Sequence, residues 1–204
     1  MFRKSSNNPW ISPSGFLNTG SFAQIGGTEP VGTRFQGMLG QTIVCSNADA
    51  LKLSDTSVGT LYQGVYQLVK FNSAVARGAL CFWDTLANNG LNDYEVTDVV
   101  TAAAVFKAGI AVCAMSNGEY GWIQVAGLAS GLFRASVTSK VLGNLVVMTS
   151  LTDGLLDAIA DATDYFDSVG DYKLTVGTAY ELPADASVTR INLDLGSFVQ
   201  NVVS

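Results

Sequence analysis

The feature that most constrains this chain is a pattern that occurs twice. Gly109-x-Ala111 recurs 68 positions later as Gly177-x-Ala179, and at the same offset Ile123-Gln124-Val125 falls on Ile191-Asn192-Leu193. Upstream, Gly78-Ala79-Leu80-Cys81-Phe82 matches Gly143-Asn144-Leu145-Val146-Val147 at an offset of 65. Each half therefore reads Gly-x-Leu-x-apolar, a variable excursion, Gly-x-Ala, a polar turn and an alternating strand. Short patterns recur by chance in a chain with 21 glycines, but the kept order and the ungapped second match favour a structural duplication. A unit this short cannot bury both of its faces alone, so the two copies are expected to pack together.

The centre of the first copy is Asn117 to Ala129. Asn117-Gly118 is a hairpin-turn dipeptide, because both residues tolerate positive φ. Behind it, Trp122 and Gln124 alternate with Ile123 and Val125 as in a strand. Before it, Gly109 to Ala114 is an apolar run of strand length. The spacing predicts strand, turn, strand, with Tyr120 and Trp122 as core or subunit-interface residues rather than a sugar-stacking platform.

Around this centre the chain reads as mainly β. Strands are expected over 59–71 (broken near Gly64), 79–84, 94–100, 141–149, 172–176, 179–182 and 188–195. Residues 127–140 read as a small-residue connection. Ser46 or Asn47 caps a short helix to Ser54, with Leu51 and Leu53 inward. A second helix is expected from Asp153 to about Phe166, burying Leu155, Leu156, Ile159 and Phe166. Its other face carries Asp153, Asp157, Asp161 and Asp164. The fold class is a compact β-sandwich or barrel-like domain built from two related strand units, with one or two short helices and an extended N-terminal arm. Residues 1–58 form the arm and short helix, and residues 59–204 the β domain, with units at about 78–127 and 143–195.

Residues 1–40 differ from the rest. They hold Pro9, Pro13 and Pro30, three of the chain's 4 prolines, and no hydrophobic period. Spaced large apolar residues (Trp10, Phe16, Phe22) and the cations Arg3, Lys4 and Arg34 suit an arm that orders on contact with another surface. An N-terminal segment wrapped over its own domain fits equally well.

Composition narrows the function. Charged residues make up 14% of the chain, well below the roughly 25% usual in soluble domains. Small polar and apolar surface is left over, and an interface is its usual use. A net charge of −6 argues against a nucleic-acid partner. Lys107, Glu119, Arg134 and Asp153 interrupt the apolar runs before any reaches the ~20 residues of a membrane span. No secretory signal follows the basic start. Cys45, Cys81 and Cys113 are odd in number and lack metal spacing, so three free thiols are expected. The chain has 0 histidines, which removes Ser-His-Asp and Cys-His sites. An acid pair of Glu95 and Glu119 is the remaining enzyme reading, and nothing in the sequence brings them together. The aspartates of 153–171 lack the order of a Ca²⁺ loop and read as a solvated face. No metal or cofactor is expected.

Arg77-Gly78-Ala79-Leu80, Ala108-Gly109-Ile110-Ala111, Gly118-Glu119-Tyr120-Gly121-Trp122-Ile123-Gln124-Val125-Ala126-Gly127 and Val176-Gly177-Thr178-Ala179 resemble the decoration (cement) proteins of tailed-phage capsids. The resemblance spans roughly residues 75–195. It implies a small, mostly β, commonly trimeric protein without an active site. Such a protein clamps the outer surface of the capsid where major capsid subunits meet. On that reading the arm residues Trp10, Phe16, Phe22, Arg3, Lys4 and Arg34 contact the capsid. The partners are the major capsid protein and further copies of the chain. A receptor- or glycan-binding β module of a head fibre or tail is the alternative.

Overall fold

The computed structural model describes residues 39–54, 59–84, 94–99, 106–148, 154–160 and 175–195. Among these are ten strands and one helix: β1 (Thr42–Cys45), α1 (Asn47–Leu53), β2 (Gly64–Phe71), β3 (Leu80–Trp83), β4 (Glu95–Thr97), β5 (Lys107–Ala111), β6 (Tyr120–Leu132), β7 (Leu145–Met148), β8 (Leu156–Ile159), β9 (Thr175–Ala179) and β10 (Val188–Leu193). The fold is mainly β and barrel-like, as the alternating patterns predict.

Five strands close the first barrel. β2 pairs with β4 in parallel, then β4 with β3, β3 with β5, β5 with β6, and β6 back with β2, all antiparallel. The second barrel repeats the order with the back half of β6 in place of β2. There β10, β9, β7 and β8 follow one another, and a parallel bridge from Phe133 to Leu156 returns to the end of β6.

The registers coincide pair by pair. Leu80↔Ile110 and Cys81↔Gly109 in the first barrel match Leu145↔Thr178 and Val146↔Gly177 in the second. Both ladders shift register at the next step, between Cys81 and Phe82 and between Val146 and Val147. Ala111↔Ile123 matches Ala179↔Ile191, and the parallel pair Phe71↔Val96 matches Phe133↔Leu156. The Gly-x-Ala motif has a steric cause. A Cβ on Gly109 would run into the Gln124 carbonyl, and one on Gly177 into that of Asn192. Both glycines let β5 or β9 approach its neighbour closely.

The two barrels are fused rather than strung. β6 runs 13 residues without interruption, its first half in one barrel and its second half in the other. Residues 127–132 are therefore strand, where a connection was expected. The small residues Gly127, Ala129, Ser130 and Gly131 weaken the alternation, yet the backbone pairs with β10 from Gly127 to Leu132. The cores reflect the fusion. Tyr66, Leu68, Phe71, Trp122 and Ile123 lie in the first cluster. Leu80, Phe82 and Ile110, on first-barrel strands, join Phe133, Leu156, Val176 and Ile191 in the second.

Three further expectations are corrected. Leu156–Ile159 is strand β8, not helix, and all four of its residues are buried. Its Asp157 does not face solvent. It accepts from Thr138 N (2.8 Å), Thr138 Oγ1 (2.6 Å) and the half-buried Arg134 Nη1 (3.1 Å), so a buried carboxylate is satisfied inside the sheet. Asp153, Asp161, Asp164 and Phe166 lie outside the described residues. In α1, Ser46 caps as expected, accepting from Asp49 N at 3.3 Å. Leu51 is 53% exposed, however, while Ala50 is buried; the Leu53 side chain lies outside the described ones. Finally, β1 pairs with β2 from Thr42↔Gln67 to Cys45↔Gly64. Residues 42–45 thus belong to the sheet, although the sequence reading set 1–58 apart.

Candidate interaction surfaces

The arm residues Arg3, Lys4, Trp10, Phe16, Phe22 and Arg34 lie outside the described residues. Tyr120 and Trp122 sit on β6 inside the first barrel, 9% and 2% exposed. They pack among Phe71, Leu68 and Met115 in the first core cluster. Their alternation is that of a strand buried on both sides.

The two glutamates have separate duties. Glu95 accepts from Lys70 Nζ at 2.6 Å and from Asn72 Nδ2 at 2.8 Å, beside the parallel β2–β4 contact. Glu119 accepts from Ser116 N at 2.6 Å, closing the turn that contains Asn117 and Gly118. Gly118 there has φ +85°, the left-handed conformation its place in the turn requires. The turn bonds back to β2 through Gly118 N to Phe71 O. It therefore stitches the β5–β6 connection onto the barrel wall.

All three cysteines are free and buried. Burial, with Asp49 nearby, pushes the Cys45 thiol up to about 12. Burial raises the Cys81 thiol likewise. A thiolate is the nucleophile, so neither is reactive near neutral pH. Lys107 is only 8% exposed, and its Nζ donates to Thr175 O at 2.5 Å. Lys107 and Thr175 hold corresponding places on β5 and β9, so this bond straps one barrel to the other. Burial lowers the Lys107 pKa, partly opposed by Asp194. Among the described residues no group of three or more His, Cys, Asp or Glu side chains could hold a metal. None of the described helices is long and apolar enough to cross a membrane.

Among the described residues eight large apolar side chains are left in solvent; besides Val99 and Phe106, the other six fall on two stretches that sequence reasoning missed. At one, Val44 on β1 is 69% exposed and Leu51 on α1 53%. At the other, Val141 (54%) and Leu142 (58%) stand on the turn before β7, and Tyr180 (57%) and Leu182 (61%) follow β9. Gly143 N donates to Ala179 O, and Ala179 N to Asn144 O, both at 2.9 Å, so these two segments lie side by side. The charges around them pair within the chain. Lys140 meets Asp185 at 2.5 Å, and Arg190 pairs with Glu181. The Arg190 guanidinium holds the Glu181 carboxyl below its ordinary range, and Lys140 does the same for Asp185. Arg190 also lies over the rings of Tyr62 (5.5 Å) and Tyr180 (5.3 Å). No sequence signal separates these apolar residues from buried ones. Exposure here depends on what lies beyond the end of a barrel.

These features define a duplicated, two-barrel β protein whose described surface offers contact patches. No described protein family matches the chain, and no curated protein matches it. Among solved structures it is similar to the N base of the head fibre protein gp8.5 of bacteriophage phi29. The identity is 14% and the TM-score 0.43, over 66% of this chain and 98% of that one. At those values the likeness carries no function across.

Proposed function

We propose that this chain is a non-enzymatic virion structural protein. It binds the outer surface of an assembled phage capsid and stabilises the shell by bridging major capsid subunits. The observation that carries this reading is the placement of Val44 and Leu51. They stand exposed on β1 and α1, the first two described elements of the chain. Exposed apolar residues that follow, in the sequence, the spaced aromatic residues Trp10, Phe16 and Phe22 suit a clamp. The low charge of the chain and the resemblance of residues 75–195 to capsid decoration proteins support the same reading. A protein that binds only the assembled shell stabilises it by mass action.

The test is co-sedimentation with undecorated capsids. Deleting residues 1–38 should leave the body folded, since its described pairing begins at Gly40, and should sharply reduce capsid binding. Trp10→Ala alone should cost about 2 kcal/mol of binding if Trp10 is a buried anchor. Equal binding by the truncated and intact chains would refute the arm as anchor. A truncated chain that fails to melt cooperatively would show that the arm wraps its own barrel. Imaging labelled virions separates this function from a fibre or tail receptor module. Density over the capsid lattice is expected, and density on a fibre or tail alone would overturn the proposal.

A further inference from the structure

The duplication supplies its own reference for what each surface does. In the first barrel, the turn Ala76–Ala79 and the start of β3 are closed off by the second barrel. Leu132 N donates to Gly78 O at 2.7 Å, and Leu80 N donates to Gly154 O at 2.8 Å. Gly78, Ala79, Leu80 and Val112 are all buried. The corresponding residues of the second barrel are Gly143, Asn144, Leu145 and Tyr180. Gly143 has nearly the same backbone conformation, with φ +79° against +84° at Gly78. Its surroundings are the opposite: a Cβ placed on Gly143 would meet nothing within 4 Å. Asn144 and Leu145 are partly open, and Tyr180 is exposed. The surface by which the first barrel docks on the second is therefore present a second time, and there no described residue covers it.

The other side of this interface is closed to a newcomer. In the second barrel the docking edge is Ser130–Leu132 with Gly154. Its counterpart in the first barrel is Leu68–Lys70 with Tyr94, which share register positions and, at Gly154 and Tyr94, positive φ. Residues 39–41 already occupy that counterpart. Gly40 N donates to Leu68 O at 2.9 Å, and Leu68 N donates to Gln41 O at 3.0 Å. Gly40, at φ +81°, packs so close to Tyr94 that a Cβ on it would overlap the ring. A head-to-tail array, which would grow into a filament, is thus capped at its first barrel.

We infer that the end of the second barrel formed by Val141, Leu142, Tyr180 and Leu182 docks on the same end of another copy of this chain. Like ends that meet face to face are related by a two-fold axis, which closes the assembly at two chains. Charge favours a second copy as the occupant. The chain carries −6 overall, yet the charges flanking this end, Lys140 with Asp185 and Arg190 with Glu181, cancel in pairs. Two acidic chains can approach there without the repulsion they would meet elsewhere. The apolar residues between those pairs supply the surface to be buried.

The experiment is sedimentation velocity of the full chain at micromolar concentration, without capsid. Wild type should run as one closed species of two chains. The double variant Leu142→Glu/Leu182→Glu should run as a monomer, with the wild-type melting profile retained, because both side chains are more than half exposed. Val44→Glu, on β1 beside the first barrel, should leave the assembly intact. A monomeric wild type, open-ended growth with concentration, or an unchanged assembly in the double variant would each overturn the inference. None of these outcomes depends on whether the chain binds a capsid.

Discussion

At the scale of single residues, this protein keeps its polar and reactive groups inside by giving each a partner or suppressing its charge. Asp157 is accommodated by Thr138 and Arg134, and Lys107 by a backbone carbonyl. Burial holds Cys45 and Cys81 as thiols, and Cys113 is buried as well. Native protein should therefore resist a thiol reagent at pH 8, whereas the denatured chain should titrate all 3 cysteines. The pH dependence follows from the same burial. The Cys45 thiol is raised from 9.0 to about 12 in the folded state, so above pH 9 the unfolded chain loses this proton first. Its contribution to stability is complete below pH 9 and is lost as pH rises towards 12. The slope is at most about 1.4 kcal/mol per pH unit for one group. Urea unfolding of Cys45→Ala should show a lower stability at pH 7 but a shallower decline above pH 9 than wild type. Parallel declines would show that Cys45 does not contribute to the alkaline loss.

At the scale of elements, close strand contacts explain why glycine stands where it does in each copy. Gly109 on β5 faces the carbonyl of Gln124, and Gly177 on β9 faces that of Asn192. Backbone, unlike the end of a flexible side chain, cannot step aside at small cost. Gly109→Ala and Gly177→Ala should each destabilise the protein by about 1–3 kcal/mol, the usual range for overpacking. Gly143→Ala should cost less through contact, since nothing stands near its Cβ, and should express only the strain of φ +79°. Chemical denaturation of the three variants checks the order. A Gly177→Ala protein as stable as wild type would mean that β9 and β10 can separate freely. Helix α1 adds little at this scale. It has 7 residues and buries Ala50, so it closes the β1 end rather than organising the fold.

At the scale of the whole molecule, the barrels cannot be separated without damage to both. They share β6, and Leu80, Phe82 and Ile110 on first-barrel strands fill the second core. Unfolding should therefore be a single transition. Tryptophan fluorescence from the first barrel and amide exchange at Val146 and Val176 in the second should report one midpoint. Phe82→Ala should lower both signals together by about 3–5 kcal/mol, the usual cost of such a truncation in a core. Two resolved midpoints would show that the second barrel holds together without the first.

Much of this was legible in the chain itself, because strand patterns and glycine requirements are local. The offsets of 65 and 68 positions between the copies reappear as matched registers, since the same close approach needs Gly109 and Gly177 wherever the unit is built. The turn at Asn117-Gly118 and the cap at Ser46 also follow from their own backbone chemistry. Other features depend on contacts that no window of sequence contains. Leu155 to Phe166 has a helical stripe, yet Leu156–Ile159 is a strand because β7 offers it an edge and Thr138 and Arg134 satisfy Asp157. The run after Gly127 looks like a loop, yet β10 holds it in the sheet. Most of all, Leu80 and Leu145 occupy the same place in the same pattern. One is buried and the other partly open because, among the described residues, a barrel lies beyond the first and none beyond the second.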